Sequence, residues 1–301
     1  TSLRLDKFLP QRLGMALPLM VNHSQSANNP FFVSRFDLRG DGIEGLRAPQ
    51  SGATTVGLAM RRTAPLRGGW LAPILNNLGA TANYGSAGSR SEYQSGKSTN
   101  LNASVDYNIA SPARLRPLPR WMDGTMDALP SWMQRTEWFQ ALRGAQLRWN
   151  PSSVRFSSAL ARASDHRLAY LKPAEAQSDT GRAVNGLTHM WRNVAGFELR
   201  PFEAMSARWD FTSLRDLRQY GDSSPAAVVA AAERSRLLGF DVGLERERQM
   251  NAAIGFAPTI AFWLRPRIDL SSAYAMQRDP NSRTLVRDAD STGGYHLPRR
   301  A

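Results

Sequence analysis

A mainly β, antiparallel fold is predicted by three features of this 301-residue sequence. Apolar and polar residues alternate strictly over long runs, the period of a strand with one apolar and one polar side. Proline-containing joints only a few residues long separate several of these runs, and proline suits a tight turn because it fixes φ and lacks an N–H. No window approaches the roughly 18 consecutive apolar residues that a membrane-spanning helix needs, which leaves only strands as a way across a bilayer.

Taken in order, shorter alternating stretches lie near Val56–Met60 and Leu78–Tyr84. The clearest run spans Thr99 to Ile109: Thr99, Leu101, Ala103, Val105, Tyr107 and Ile109 share one side, and Asn100, Asn102, Ser104, Asp106 and Asn108 the other. Val154–Leu160 and Trp191–Leu199 repeat the pattern in part. Met205, Ala207, Trp209 and Phe211 then alternate with Ala204, Ser206, Arg208 and Asp210. Leu238, Phe240, Val242 and Leu244 alternate with Gly239, Asp241, Gly243 and Glu245, and Ala252–Leu264 reads as another strand. Ile268, Leu270, Tyr274 and Met276 close the series, interrupted by Ser272. The pattern implies roughly ten to twelve strands.

Asn150-Pro151, Arg200-Pro201 and Arg265-Pro266 read as hairpin joints between antiparallel neighbours. Long polar connections are expected from Ser24 to Thr54 and Ser86 to Lys97, with loop insertions at about 111–144, 163–188 and 213–236. Short turns at one end and long loops at the other are the habit of outer-membrane barrels. One inconsistency stands: a turn near Arg248–Met250 places the Arg265-Pro266 joint on the long-loop side, so a strand boundary here is misplaced. Ser224-Pro225 followed by the alanine-rich 226–238 predicts a short helix within a loop. Pro119–Leu142, rich in Trp and Met and broken by Pro130, makes at most short helices, either at a membrane interface or plugging a cavity.

Composition narrows the function classes. An apolar fraction of 42% excludes a wholly disordered chain. The absence of cysteine excludes disulfide scaffolds, thiolate zinc sites and cysteine nucleophiles. Basic residues number 38 against 25 acidic, a net charge of +13, and all but Lys7, Lys97 and Lys172 are arginines. The chain begins at Thr1 with no basic-then-apolar leader, so either a leader has been removed or this is part of something longer.

Amphipathic strands fit a soluble sandwich, whose apolar faces meet, or a membrane barrel, whose apolar faces meet lipid. Three features favour lipid. The runs are long enough for a tilted bilayer crossing, where sandwich strands cluster nearer 5–6 residues. The opposite faces are densely charged, and aromatic residues gather near predicted turns, as an interfacial girdle requires. The candidates for lipid-facing or interfacial positions are Tyr107, Trp149, Phe202, Trp209, Phe240, Phe262 and Tyr274. Those for an aqueous lumen are Asp106, Arg208, Glu245, Arg267 and Asp269. The expectation is thus one unit over residues 1–301, a section of a large outer-membrane β-barrel with long loops and one or two short helices.

The order of certain segments adds a family. Leu5-Asp6-Lys7-Phe8-Leu9-Pro10, Leu17-Pro18-Leu19-Met20-Val21 and Asn29-Pro30 resemble segments of the SprA family of giant outer-membrane proteins. A proline-rich segment 117–130 then leads to Trp138 and to Leu147-Arg148-Trp149-Asn150-Pro151-Ser152-Ser153-Val154-Arg155-Phe156, similar to that family's Pro-x-Ser-Val strand start. Trp191-Arg192-Asn193 and Phe202–Phe211 fall where its following strands belong, so the likeness runs in patches through most of 1–278. The resemblance implies the protein-conducting channel of the type IX secretion system. It also implies a home in the outer membrane of a Gram-negative-type bacterium, with gating or plug proteins and secreted protein cargo as partners beside outer-membrane lipid. Two departures stand out: the arginine-rich composition, and a strand number near a dozen that cannot close so wide a barrel. The remainder of a longer chain is expected.

Nothing in the sequence points to an enzyme or a cofactor. His23, His166, His189 and His296 are scattered without metal-ligand spacing, and the Asp165-His166 pair lacks an identifiable serine. Gly40-Asp41-Gly42 and Gly293-Gly294 lack the context of a phosphate loop. Net charge makes nucleic-acid binding the main rival besides the soluble sandwich. The arginines, however, are spread over the whole length and stand beside acids, as in Glu245-Arg246-Glu247-Arg248, so no nucleic-acid partner is expected.

Overall fold

In the computed structural model, continuous description covers residues 2–8, 14–28, 48–66, 72–110, 150–171, 180–219, 225–258 and 264–278, apart from 203 and 238. Short pieces at 39, 115–117, 130–131, 146–148, 286–287, 295–296 and 299–300 complete the described set. The strands are β1 (Ser2–Arg4), β2 (Met15–Ala16), β3 (Pro18–Ala27), β4 (Gln50–Arg62), β5 (Leu78–Arg90), β6 (Gln94–Ala110), β7 (Leu115–Pro117), β8 (Gln146–Arg148) and β9 (Ser153–Ala169). They continue with β10 (Arg182–Phe202), β11 (Met205–Asp216), β12 (Arg236–Leu237), β13 (Phe240–Asp241), β14 (Leu244–Phe256), β15 (Ile268–Arg278), β16 (Val286–Arg287), β17 (Tyr295–His296) and β18 (Arg299–Arg300). A 3₁₀ turn covers Leu5–Phe8, and the helices are α1 (Ala72–Asn76) and α2 (Pro225–Ala232).

The mainly β, antiparallel class is observed. One antiparallel sheet runs β1-β3-β4-β5-β6-β9-β10-β11-β14-β15-β18, with β2 beside β4. Among the described residues its two ends do not pair with each other, so it is an open sheet. The remaining ladders, β7-β8, β12-β13 and β16-β17, are two-stranded and two or three residues long. No second sheet of comparable size lies against the first among the described residues, so the apolar face has no sandwich partner there.

Several boundaries differ from expectation. The stretch Ser86–Lys97 is not a long loop: β5 and β6 pair continuously to Arg90↔Ser95, leaving 91–93 as a tight turn. Its small Gly and Ser residues read as loop from composition, yet two flanking ladders hold them extended. The insertion expected at 163–188 shrinks to 170–181 for the same reason, because β9 and β10 pair out to Ala169↔Arg182. The third insertion begins after Asp216 and contains α2, the helix expected after Pro225. Most of the first, 111–144, lies outside the described residues.

A hairpin joins β10 to β11 as expected near Arg200-Pro201, but its connection is 203–204. Arg200 and Pro201 lie within β10, at the register shift between Leu199 and Phe202. Asn150-Pro151 is not a hairpin: β8 pairs with β7, and β9 pairs with β6 and β10. The turn expected near Arg248–Met250 is also absent, since β14 crosses that point unbroken and ends at Phe256. Moving this boundary removes the inconsistency around Arg265-Pro266, which lies in the β14–β15 connection. Connections at the end where β3, β5, β9, β11 and β15 finish, here the upper end, are 28–49, 91–93, 170–181 and 217–243. At the lower end they are 63–77, 111–152, 203–204 and 257–267. Each end thus has one tight turn among longer connections, and the one-sided pattern is not found.

Sealed core is scarce. Ala230 and Leu244 form a small buried cluster with Val229 packed on it, where α2 meets the start of β14. The total accessible surface is 21,397 Å², against about 12,600 Å² for a compact monomer of this mass. A single-layer sheet leaves both its faces open.

Candidate functional site

The ladder registers determine what each face presents. Residues directly opposite one another share a face, and side chains alternate along each strand. One face collects Leu19 and Val21; Val56, Leu58 and Met60; Leu78, Ala80, Ala82 and Tyr84; then Leu101, Ala103, Val105, Tyr107 and Ile109. Across β9 to β15 it continues through Val154, Phe156, Phe197, Trp209, Phe211, Met250, Ile254, Phe256, Ile268, Leu270 and Tyr274. Many of these are exposed: Tyr84, Val105, Phe156, Phe197, Ile254, Leu270 and Tyr274 all keep two-fifths or more of their surface. Such a continuous apolar surface is far more than a soluble monomer normally shows. Phe197 and Trp209 meet at 5.7 Å between ring centroids, and Trp209 stacks on Phe211 at 5.9 Å.

The upper limit of this apolar band is sharp. On the same face the next residues are Thr54 on β4, Ser86 on β5, Thr99 on β6, Arg162 on β9, His189 on β10 and Arg248 on β14; on β11 the buried Ser213 comes next and Arg215 follows it. The limit is oblique to the ladders. Through the register, Arg248 is level with Ser213, Asn193, Ser158, Val105, Ala80 and Met60, and Thr54 lies six residues from Met60 along β4. The limit is level from β4 to β6 and then falls in jumps of at least two residues, six residues over the six steps from β4 to β14, an average of one residue per strand. With about 3.3 Å per residue and about 4.8 Å between strands, a level boundary crosses strands tilted by about 35°. Transmembrane barrels tilt their strands by about 35–45°. On β6 the band from Leu101 to Ile109 then measures about 22 Å along the normal, close to the roughly 25 Å apolar belt of such barrels.

The opposite face is small and polar. Arg155 on β9 and Asp210 on β11 form an ion pair that passes over Gly196 of the intervening β10. A Cβ at Gly196 would lie 2.7 Å from Asp210 Oδ1 and 2.8 Å from Arg155 Nε, so only glycine leaves room for the bridge. Arg208 reaches the same carboxylate at 2.6 Å, Arg200 pairs with Glu198 at 2.6 Å, and Ser157 donates to Asp106 at 2.6 Å. These charges compensate one another along the strand face, as in a solvated wall. Near the upper end the face is concave. A cavity of about 340 Å³ is lined by Ser24, Ser51, Ser89, Ser98, Asp165 and Arg167, all on the polar side of adjacent strands β3 to β9.

The candidate residues distribute as follows. Tyr107, Trp209 and Tyr274 lie on the apolar face, and a register shift after Leu199 brings Phe202 opposite Met205 on that face as well. Asp106, Arg208 and Asp269 lie on the polar face, with Arg267 just before β15 and paired to Asp269 at 2.6 Å. Phe240 is corrected: it belongs to the small β12-β13 ladder and is 76% exposed, outside the main sheet. Glu245 is corrected too. A bulge at Arg246 sets Arg215↔Glu245 beside Leu214↔Glu247, which turns Glu245 to the apolar side. There it is buried, accepting from Ser213 at 3.0 Å and from Arg248 Nε at 2.9 Å, with Arg215 at 3.9 Å. Trp149 and Phe262 lie outside the described residues.

Alternation missed a polar inset in the apolar face. Trp191 Nε1 donates to Ser158 Oγ at 2.8 Å, and Ser158 Oγ donates to Asn193 Oδ1 at 2.8 Å. Arg162 was missed as well, and its signal was an arginine on the apolar side of an otherwise alternating run. Among the described residues no group of His, Asp and Glu could hold a metal ion, and no helix is long and apolar enough to cross a membrane. The sequence matches no protein-family model and no characterised protein significantly.

Proposed function

We propose that this chain is a section of the wall of a large outer-membrane β-barrel. Its apolar face meets lipid, and its polar face lines an aqueous path. The oblique apolar band carries this reading, because its average slope of one residue per strand between β4 and β14 matches the strand tilt of a bilayer-spanning barrel. The path is passive. Compensated charges and small hydroxyl-bearing side chains hydrate the wall without offering a strong single-sign field. By its resemblance to the SprA family, the cargo is secreted protein, and selection and gating fall to loops and partner proteins. Nucleic-acid binding is disfavoured by the ion pairing of the polar-face arginines.

The absence of cysteine makes the test clean, since every introduced thiol is unique. Single cysteines at 101 to 109, labelled with an environment-sensitive dye in lipid bilayers, should alternate. Blue-shifted emission and quenching by brominated acyl chains are expected at Leu101, Ala103, Val105, Tyr107 and Ile109. Water-like emission is expected at the residues between. Equal water exposure along the whole run would overturn the membrane reading. For the transport reading, Ser104→Trp and Asn102→Trp within the longer parent should slow secretion while leaving the barrel's assembly intact; unchanged secretion with a bulky wall would count against a protein path.

A further inference from the structure

We infer that the upper border of the apolar face on β9 to β14 is a binding rim for anionic phospholipid, and this rests on the membrane reading above. The basic border residues on these successive strands are Arg162, His189, Arg215 and Arg248. On β4 to β6 the equivalent border residues are the uncharged Thr54, Ser86 and Thr99, so the cations mark one stretch of the border and not all of it.

The charges do not cancel. Arg215 and Arg248 share the single carboxylate of Glu245, at 3.9 and 2.5 Å. Arg162 is exposed and stands directly opposite His189 in the ladder. With His189 neutral, three arginines face one carboxylate along this border. Asp165 and Glu247 lie on the opposite face, and buried Asp216 is held by Arg218 at 2.7 Å. Immediately below the rim lie Leu160 and Trp191, then Phe156, Phe197 and Phe211 further along. A phosphate at the guanidinium groups and acyl chains on the aromatic surface satisfy both halves at once. Neither free phosphate nor a neutral lipid does so.

The experiment uses the full chain refolded onto phosphatidylcholine vesicles with 0 or 30% phosphatidylglycerol, scored by flotation and by Trp emission. Wild type should bind the anionic vesicles more tightly, and Arg162→Ala should lose about fivefold of that preference, the effect of about 1 kcal/mol per basic residue at an anionic surface. Arg167→Ala, on the polar face, should change nothing, which separates a rim from general charge. Equal binding to both vesicle types, or equal losses from Arg162→Ala and Arg167→Ala, overturns the rim and leaves the membrane reading standing. Failure to bind either vesicle overturns the membrane reading itself. A Trp response to millimolar inorganic phosphate alone would overturn the lipid assignment in favour of a simple anion site.

Discussion

Gly196 shows how one residue's lack of a side chain organises its surroundings. The Arg155–Asp210 pair spans two ladder steps only because nothing rises from the strand between. Gly196→Ala should therefore cost about 1 kcal/mol, within the range of exposed pairs and small steric adjustments. Arg155→Ala should add little on top of it, since the Asp210–Arg208 pair survives in both, and a double-mutant cycle on unfolding in lipid bicelles checks this coupling. Glu245 teaches the opposite lesson about reading single residues. Its place in the alternation Leu244, Glu245, Arg246, Glu247 put it with the lumen candidates, yet one extra residue at Arg246 reverses its face. A bulge is invisible to a period-2 pattern, because the pattern is defined by the pairing that the bulge interrupts. Tyr107 and Asp106 were legible because the ladders on both sides of β6 run without a shift.

Elements were legible in kind and misjudged in extent. Most alternating runs lie on strands, but 238–244 is broken by Gly243 and forms only the short β13 before β14, and in 252–264 the strand ends at Phe256. Elsewhere strands run on through polar ends that composition marks as loop. The upper parts of β5, β6, β9 and β10 are of this sort, held by neighbours and not by any apolar face of their own. Among its described residues, the connection 217–243 holds α2 and the β12-β13 ladder, and Ala230 of α2 seals against Leu244 at the start of β14. Asp241 helps to close this connection, accepting from the Gly243 N–H at 2.9 Å and from Arg234 Nε at 2.8 Å. Desolvation opposes its charge, but these donors outweigh that, and the carboxyl is held below the usual aspartate range. A depressed folded-state value gives stabilisation that is complete above about pH 4 and is lost as the pH falls through that ordinary value toward the folded one. Protection factors across 234–243 from hydrogen exchange should hold from pH 7 to about pH 5 and decline below about pH 4. Asp241→Asn should remove the decline. On the sheet itself, Val105→Arg at the centre of the apolar band on β6 should cost about 2–4 kcal/mol of stability in lipid, while Ser104→Arg on the polar face should cost far less. Comparable costs for both in bilayer unfolding titrations would contradict the assignment of faces.

For the whole molecule, the oblique border ties separate strands to one plane. No single strand contains that information: it emerges when Thr54, Arg162 and Arg248 are placed through the registers. At the level of each run the sequence fits a sandwich or a barrel, with run length, charge and aromatic placement favouring the barrel; the registers add the average slope of the border. Polarised infrared spectroscopy of oriented bilayers should find the strands at about 35° to the normal. Strands lying near the membrane plane, or without preferred orientation, would refute the band as a transmembrane belt.

The 21 residues of β10 and the 17 of β9 exceed any bilayer crossing. From Arg162 to Ala169, β9 rises beyond the apolar border by about 19 Å at the inferred tilt. β6 and β10 rise with it, braced where Ser95 meets the buried Tyr170 hydroxyl at 2.8 Å. On the proposed membrane reading, the result is a parapet, hydrophilic on most of both sides, that stands clear of the headgroups. A protein or receptor outside the bilayer would touch this stiff three-strand fence before it touched lipid. An antibody or protease directed to 163–169 should therefore find its target on intact membranes if this end of the barrel faces outward, which makes the fence a physical marker of orientation.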